Sequence, residues 1–132
     1  MPLRVELVSP ERIVYEGEAE LVIARTTDGE IGFQPDHVPF VGNLVPSVVR
    51  IALSGGGVQH IAVHSGFVEV SDNHVALLSD VAELAENIDA DRARNALDRA
   101  RETLAGDSEN EEAANAMKRA EVRLLASEAK QR

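Results

Sequence analysis

Near Val81–Glu86 the chain changes habit, and no single repeating architecture can span the change. All five prolines, all four Phe and Tyr residues, and eight of nine glycines lie before it. Residues 83–132 hold twelve alanines, against six in residues 1–82. The first segment therefore reads as strands and turns and the second as helix. Helices are not interleaved with the strands, which argues against a doubly wound parallel sheet. The class expected is α+β: an N-terminal antiparallel β-sandwich over 1–84, then a C-terminal antiparallel two-helix hairpin over 85–132.

In the first segment the period is two. Leu3, Val5 and Leu7 alternate with Arg4 and Glu6; Val49, Ile51 and Leu53 alternate with Arg50 and Ala52. Ile61 and Val63 alternate with His60, Ala62 and His64, and Val68 and Val70 flank Glu69. Turns are expected at Tyr15-Glu16-Gly17, Asp28-Gly29, Ser54-Gly55-Gly56-Gly57, Ser65-Gly66 and Asp72-Asn73. Short strands at this spacing suit a sandwich or barrel.

In the second segment the period is helical. Ala93, Ala96, Leu97, Ala100 and Leu104 mark one face, and Ala113, Met117, Ala120 and Leu124 another. Asp89 is placed to cap the first helix, with Ile88 and Ala93 as a staple. Gly106 suits a left-handed end to that helix. Ser108-Glu109-Asn110-Glu111 has capping-box form for the second. The short connection predicts an antiparallel pair. Its Ala-rich faces bury little apolar area, at about 25 cal/mol per Å², so a weakly held, movable hairpin is expected.

Composition removes several classes of function. The absence of Cys excludes disulfides, thiolate metal sites and cysteine nucleophiles. A net charge of −10 repels phosphate backbones and anionic lipid, and aromatics are only 3%, so nucleic acid and bare membrane are not expected partners. No apolar run approaches the roughly 18 residues of a membrane span, and the N-terminus lacks the pattern of a signal or transit peptide. A cytosolic setting is expected.

Candidate chemistry is sparse. On a strand, His60 and His64 would stand roughly 13 Å apart, too far to share an ion, and are read as surface residues on a polar face. Gly55-Gly56-Gly57 lacks the Lys-Ser/Thr of a phosphate loop, and Ser65 lacks a nucleophile elbow. No acid/base pair stands out. The arginines offer more: Arg92 and Arg99 fall near one helix face, and Arg119 and Arg123 are four apart on the next. Facing cationic groups can receive an anion such as a phosphate chain; paired with Glu, they form an ordinary solvated face.

The segment Asp28-Gly29-Glu30-Ile31-Gly32-Phe33-Gln34-Pro35-Asp36-His37-Val38-Pro39-Phe40 resembles the hallmark of the epsilon subunit of F-type ATP synthases. Leu3–Tyr15 is similar to that family's first hairpin, and His64-Ser65-Gly66-Phe67-Val68-Glu69-Val70-Ser71-Asp72-Asn73 to its second signature. The likeness covers essentially the whole chain. Gln34, Asp36 and Ser47 depart from the usual residues in ways that touch turn detail only.

The resemblance implies a noncatalytic central-stalk (rotor) subunit of a proton-translocating synthase. Its sandwich would bind the gamma subunit and the c-ring. Its hairpin would be a switch that extends into the alpha/beta catalytic head and inhibits ATP hydrolysis. The protein would then lie peripherally at the cytoplasmic face of a bacterial plasma membrane, associated with membrane only through the complex. No cofactor would be required. Some bacterial members bind ATP on the folded hairpin through Ile/Leu-Asp-x-x-Arg-Ala, which Ile88-Asp89-Ala90-Asp91-Arg92-Ala93 matches. The implied regulatory ATP site is Ile88, Asp89, Arg92 and Ala93, with Arg99 and Arg123 for the phosphates. The alternative is a free-standing β-sandwich protein-binding module with a helical tail.

Overall fold

The computed structural model describes residues 2–130. Nine strands come first: β1 (Leu3–Ser9), β2 (Arg12–Thr26), β3 (Gly29–Phe33), β4 (Phe40–Leu44), β5 (Ser47–Leu53), β6 (Val58–Val63), β7 (Gly66–Ser71), β8 (His74–Ser79) and β9 (Ala82–Leu84). A 3-10 turn, Ala85–Asn87, leads to helices α1 (Ala90–Gly106) and α2 (Glu111–Lys130).

One layer of the sandwich runs β1-β8-β7-β4. The other is β3-β2-β5-β6-β9. All pairings are antiparallel except β1 with β8, which is parallel and sets Val5 beside Val75 and Leu7 beside Leu77. The inward residues of both layers meet in one core that includes Leu3, Val5, Leu7, Val22, Phe33, Ile51, Ile61, Val68 and Leu77. This is the period-two pattern of the sequence expressed as burial.

Strand β2 joins the layers. Its first half pairs with β1 and its second half with β3 and β5. The expected turn at Tyr15-Glu16-Gly17 does not form: those residues lie inside the 15-residue strand. Two irregularities take its place. Leu7 faces Tyr15 but Val8 faces Ile13, and Ala19 faces Leu53 but Leu21 faces Ala52. Each leaves an extra residue on β2, and such bulges bend and twist a strand, letting it pass from one layer to the other.

Other turns form where expected. Asp72 and Asn73 both take positive φ (50° and 61°), as a tight two-residue hairpin requires. Gly66 has φ 148°, and a Cβ there would stand 1.7 Å from the Leu78 carbonyl oxygen. Only glycine fits between β6 and β7.

The helices pack against each other, and α2 lies on the outer face of β5 and β6. Three of the expected helix details differ, two of them at helix ends. Gly106 is the last residue of α1 and keeps φ negative; Asp107 ends the helix, its N–H donating to the Thr103 carbonyl at 2.9 Å. The cap of α2 is Asn110, whose side-chain oxygen accepts from the Ala113 N–H at 3.0 Å, rather than Ser108. Finally, α2 buries two stripes: Ala113 and Ala120, as read from the sequence, and Val122 and Ala126, which pack on Ala62, Ala85, Ile88 and Val48. Met117 and Leu124 are only half-buried.

That second cluster explains a misread strand. Alternation places Ala62 on the same face as His60 and His64, the histidines read as surface residues, but α2 covers this face. Ala62 is fully buried and His64 is 6% exposed; His60 remains half-buried. A strand covered on both sides loses its alternation.

Candidate functional site: the cleft between hairpin and sandwich

The site begins where the sandwich ends. After β9, the 3-10 turn closes with the Ile88 N–H donating to the Ala85 carbonyl at 3.2 Å. Ile88 is buried against α2, and this fixes the entry to α1. Asp89 then caps α1 in extended conformation (φ −83°, ψ 103°), accepting from the Arg92 N–H at 3.1 Å. Capping of this kind satisfies one of the free N–H groups at the helix start.

Arg92, Ala96 and Arg99 follow at spacings of four and three, on the α1 face toward α2 and β9. Arg123 arrives from α2. Together these surfaces enclose a cleft of about 490 Å³. All six residues expected for a nucleotide site line it: Ile88, Asp89, Arg92, Ala93, Arg99 and Arg123. Val81, Glu83, Asn87 and Ala96 line it too. Ala96 falls on the helix face marked in the sequence; Val81, Glu83 and Asn87 were not legible there, because a turn valine, a strand acid and a turn asparagine carry no motif of their own.

Glu83 changes the electrostatics. Its carboxylate accepts a hydrogen bond from Nε of Arg123, in the ion pair that joins sandwich to hairpin. Among the described residues, Arg92 and Arg99 make no ion pair; Arg94, on another face, pairs with Asp91 at 3.1 Å. Arg92 and Arg99 are both exposed, so their guanidinium donors are available to an anion. The α1 N-terminus adds a modest positive partial charge. The cleft can hold a phosphate-bearing ligand; it contains no nucleophile with an adjacent base.

Beneath the Glu83–Arg123 pair lies His64. Neither ring nitrogen has a hydrogen-bond partner. Burial, and then the Arg123 and Arg119 guanidiniums against the opposing pull of Glu83, lower its pKa to about 4. His60 is also held below the usual imidazole range, by burial and by Arg50. Among the described residues no group of three or more His, Asp or Glu could hold a metal ion, and no helix is long and apolar enough to cross a membrane.

Comparison with known proteins agrees with this architecture. Residues 2–85 match the family described as ATP synthase, Delta/Epsilon chain, beta-sandwich domain. The ATP synthase epsilon chain of Streptomyces avermitilis is 48% identical over 124 residues, covering 94% of each chain. That of Shouchella clausii is 40% identical over 123 residues, covering 92% of each. A chain in the mitochondrial ATP synthase of Euglena gracilis, solved as OSCP/F1/c-ring, has the same fold: the TM-score is 0.75 at 22% identity, over 99% of this chain and 82% of that one. Sandwich, hairpin and end-to-end identity with the bacterial relatives converge: the chain belongs to the ATP synthase epsilon chain family.

Proposed function

We propose that this protein is the noncatalytic central-stalk subunit of a proton-translocating F-type ATP synthase. In this reading residues 1–84 bind the gamma subunit and the c-ring, and residues 85–132 form a regulatory hairpin. Released from the sandwich, the hairpin reaches the alpha/beta catalytic head and inhibits ATP hydrolysis. The protein sits peripherally at the cytoplasmic face of the bacterial plasma membrane, held there by the complex. The observation that carries the stalk assignment is the end-to-end likeness to bacterial epsilon chains. A pull-down with gamma and the c-ring tests it. Capture by both the full chain and residues 1–84 is expected; failure of the full chain to bind either partner removes the assignment.

The regulatory part rests on the thinness of the seam. Three alanines, two valines and one isoleucine make up its apolar contacts. At about 25 cal/mol per Å² such a seam opens for a few kcal/mol.

ATP is the proposed ligand of the cleft, as a regulator rather than a cofactor. Ile88 and Ala93 would pack on the base, and the Asp89 carboxylate would accept from its amino group. Arg92, Arg99 and Arg123 would hold the phosphates; hydrogen bonds to charged groups contribute about 1.5–3 kcal/mol each. A ligand that binds only the docked hairpin stabilises it by mass action, so high ATP would keep the inhibitory form rare. Six residues from α1 with its entry and from α2 lining one cleft support this reading. Calorimetric titration of ATP into the wild type and Arg92→Ala tests it. Binding in the wild type and weakening by tenfold or more in the variant are expected. No heat at millimolar ATP, or equal binding by both, ends the nucleotide reading and leaves the stalk assignment standing.

A further inference from the structure

We propose that His64 is a proton sensor for hairpin docking: a proton on its ring releases α2 from the sandwich. The inference rests on the hairpin being movable and is independent of any nucleotide.

The geometry is specific. Ala62 on β6 and Glu83 on β9 are register partners, and both belong to the face that α2 covers. His64 lies two residues beyond Ala62, on the same side. Its side chain is buried under the helix that carries Arg119 and Arg123, and both nitrogens are without partners. A neutral imidazole tolerates this place. A charged one would be a third cation beside two guanidiniums, with only Glu83 to offset them, and Glu83 is already engaged by Arg123.

Other charged groups at the seam lie toward His60: Glu128 of α2 and Arg25 of β2 line the cavity that also holds Arg50 and Glu30. From the 3-10 turn, Glu86 accepts from Gln59 at 3.0 Å. From β5, Arg50 bonds Glu30 at 2.6 Å and stands near His60. His60 shares the strand but is half-exposed, and roughly 13 Å from His64 by strand geometry. It is the natural control.

The direction of the effect follows from linkage. Docked, His64 titrates at about 4; released into water it returns to about 6.5. Above 6.5 both states are neutral and docking is unaffected. As pH falls below 6.5 the released state takes up a proton that the docked state refuses. Docking therefore weakens with falling pH, by about fivefold over the first pH unit below 6.5, until the docked ring itself titrates. The response thus begins near the ordinary imidazole pKa, well above 4.

Amide hydrogen exchange of the full chain reads this even when release is rare. After correction for intrinsic exchange rates, the opening constant of residues 118–129 should rise about fivefold between pH 6.5 and 5.5. Exchange in the core strand β2 should not follow it. His64→Leu and His64→Gln should each abolish the rise, and His60→Gln should keep it. The leucine variant should also dock more tightly, since an apolar side chain replaces two unsatisfied nitrogens. A rise of the same size in both His64 variants overturns the proton sensor while leaving a movable hairpin. A rise shared equally by β2 places the effect in global unfolding and overturns both.

Discussion

Asp36 and Asn73, 37 residues apart, hold each other by two hydrogen bonds. The Asp36 N–H donates to the Asn73 side-chain oxygen at 2.6 Å, and the Asn73 amide donates back to the Asp36 carboxylate at 3.3 Å. Both residues have positive φ, 67° and 61°. The Asn73 carbonyl also accepts from the Arg4 N–H at 2.8 Å. One asparagine thus ties β1, the loop carrying His37, and the β7–β8 turn together.

Two substitutions separate its side chain from its backbone. Asn73→Gly keeps the left-handed conformation and loses the side-chain bonds, so a loss of about 1 kcal/mol is expected. Asn73→Ala adds the strain of a Cβ in that conformation, roughly 1–2 kcal/mol more. Urea unfolding curves check both; equal stability of the two variants would refute the strain argument.

Gly66→Ala should be among the most damaging single changes in the sandwich. The added Cβ meets the Leu78 backbone at 1.7 Å, and φ is 148°. Backbone must move on two strands, and a loss above about 4 kcal/mol is expected. Gly55→Ala, where a Cβ meets nothing within 4 Å, is the control and should unfold near the wild-type midpoint. A wild-type midpoint for Gly66→Ala would show that the turn has another conformation.

Glu83→Gln should loosen the hairpin and leave the sandwich intact. The pair with Arg123 is partly exposed, with side chains 28% and 31% accessible, so about 1 kcal/mol of docking is at stake, or roughly a fivefold rise in opening. Limited trypsin digestion would register this as faster cleavage after Lys118, Arg119 and Arg123. An unchanged cleavage rate means that the ion pair contributes nothing to docking.

Deleting residues 88–132 should raise ATP hydrolysis by an assembled synthase and leave coupled synthesis largely intact. It removes the whole candidate inhibitory element and spares all nine strands. The truncated sandwich newly exposes Val48, Ala62 and Ala85, a patch small beside the core that stays buried between its two layers. Hydrolysis rates in matched membranes decide; no increase means that the hairpin is not a brake.

The two-part layout, the strand faces and the Asp89 cap were legible because each leaves a local period or a local residue type. The places misread were set by tertiary contacts. Gly17 carried a turn signal, yet β2 runs through it because β1 pairs along its length. Ala62 and His64 alternated like an exposed face, because nothing in β6 announces that a helix from the far end of the chain will cover it. Ser108 headed a capping-box pattern, but the short inter-helix turn left Asn110 at the cap. The arginines of the cleft could be grouped from helical spacing. Glu83 could not, since its role depends on a β-edge meeting α2.

The parallel pairing of β1 with β8 has a consequence for birth on the ribosome. Leu3–Ser9 is made before either of its partners, and its hairpin partner β2 follows at once. Its other edge stays open until His74–Ser79 has been synthesised and cleared the exit tunnel. The layer that contains them cannot therefore close during early synthesis. Folding must wait for about two-thirds of the chain, and an exposed strand edge has to be kept from other nascent chains in the interval.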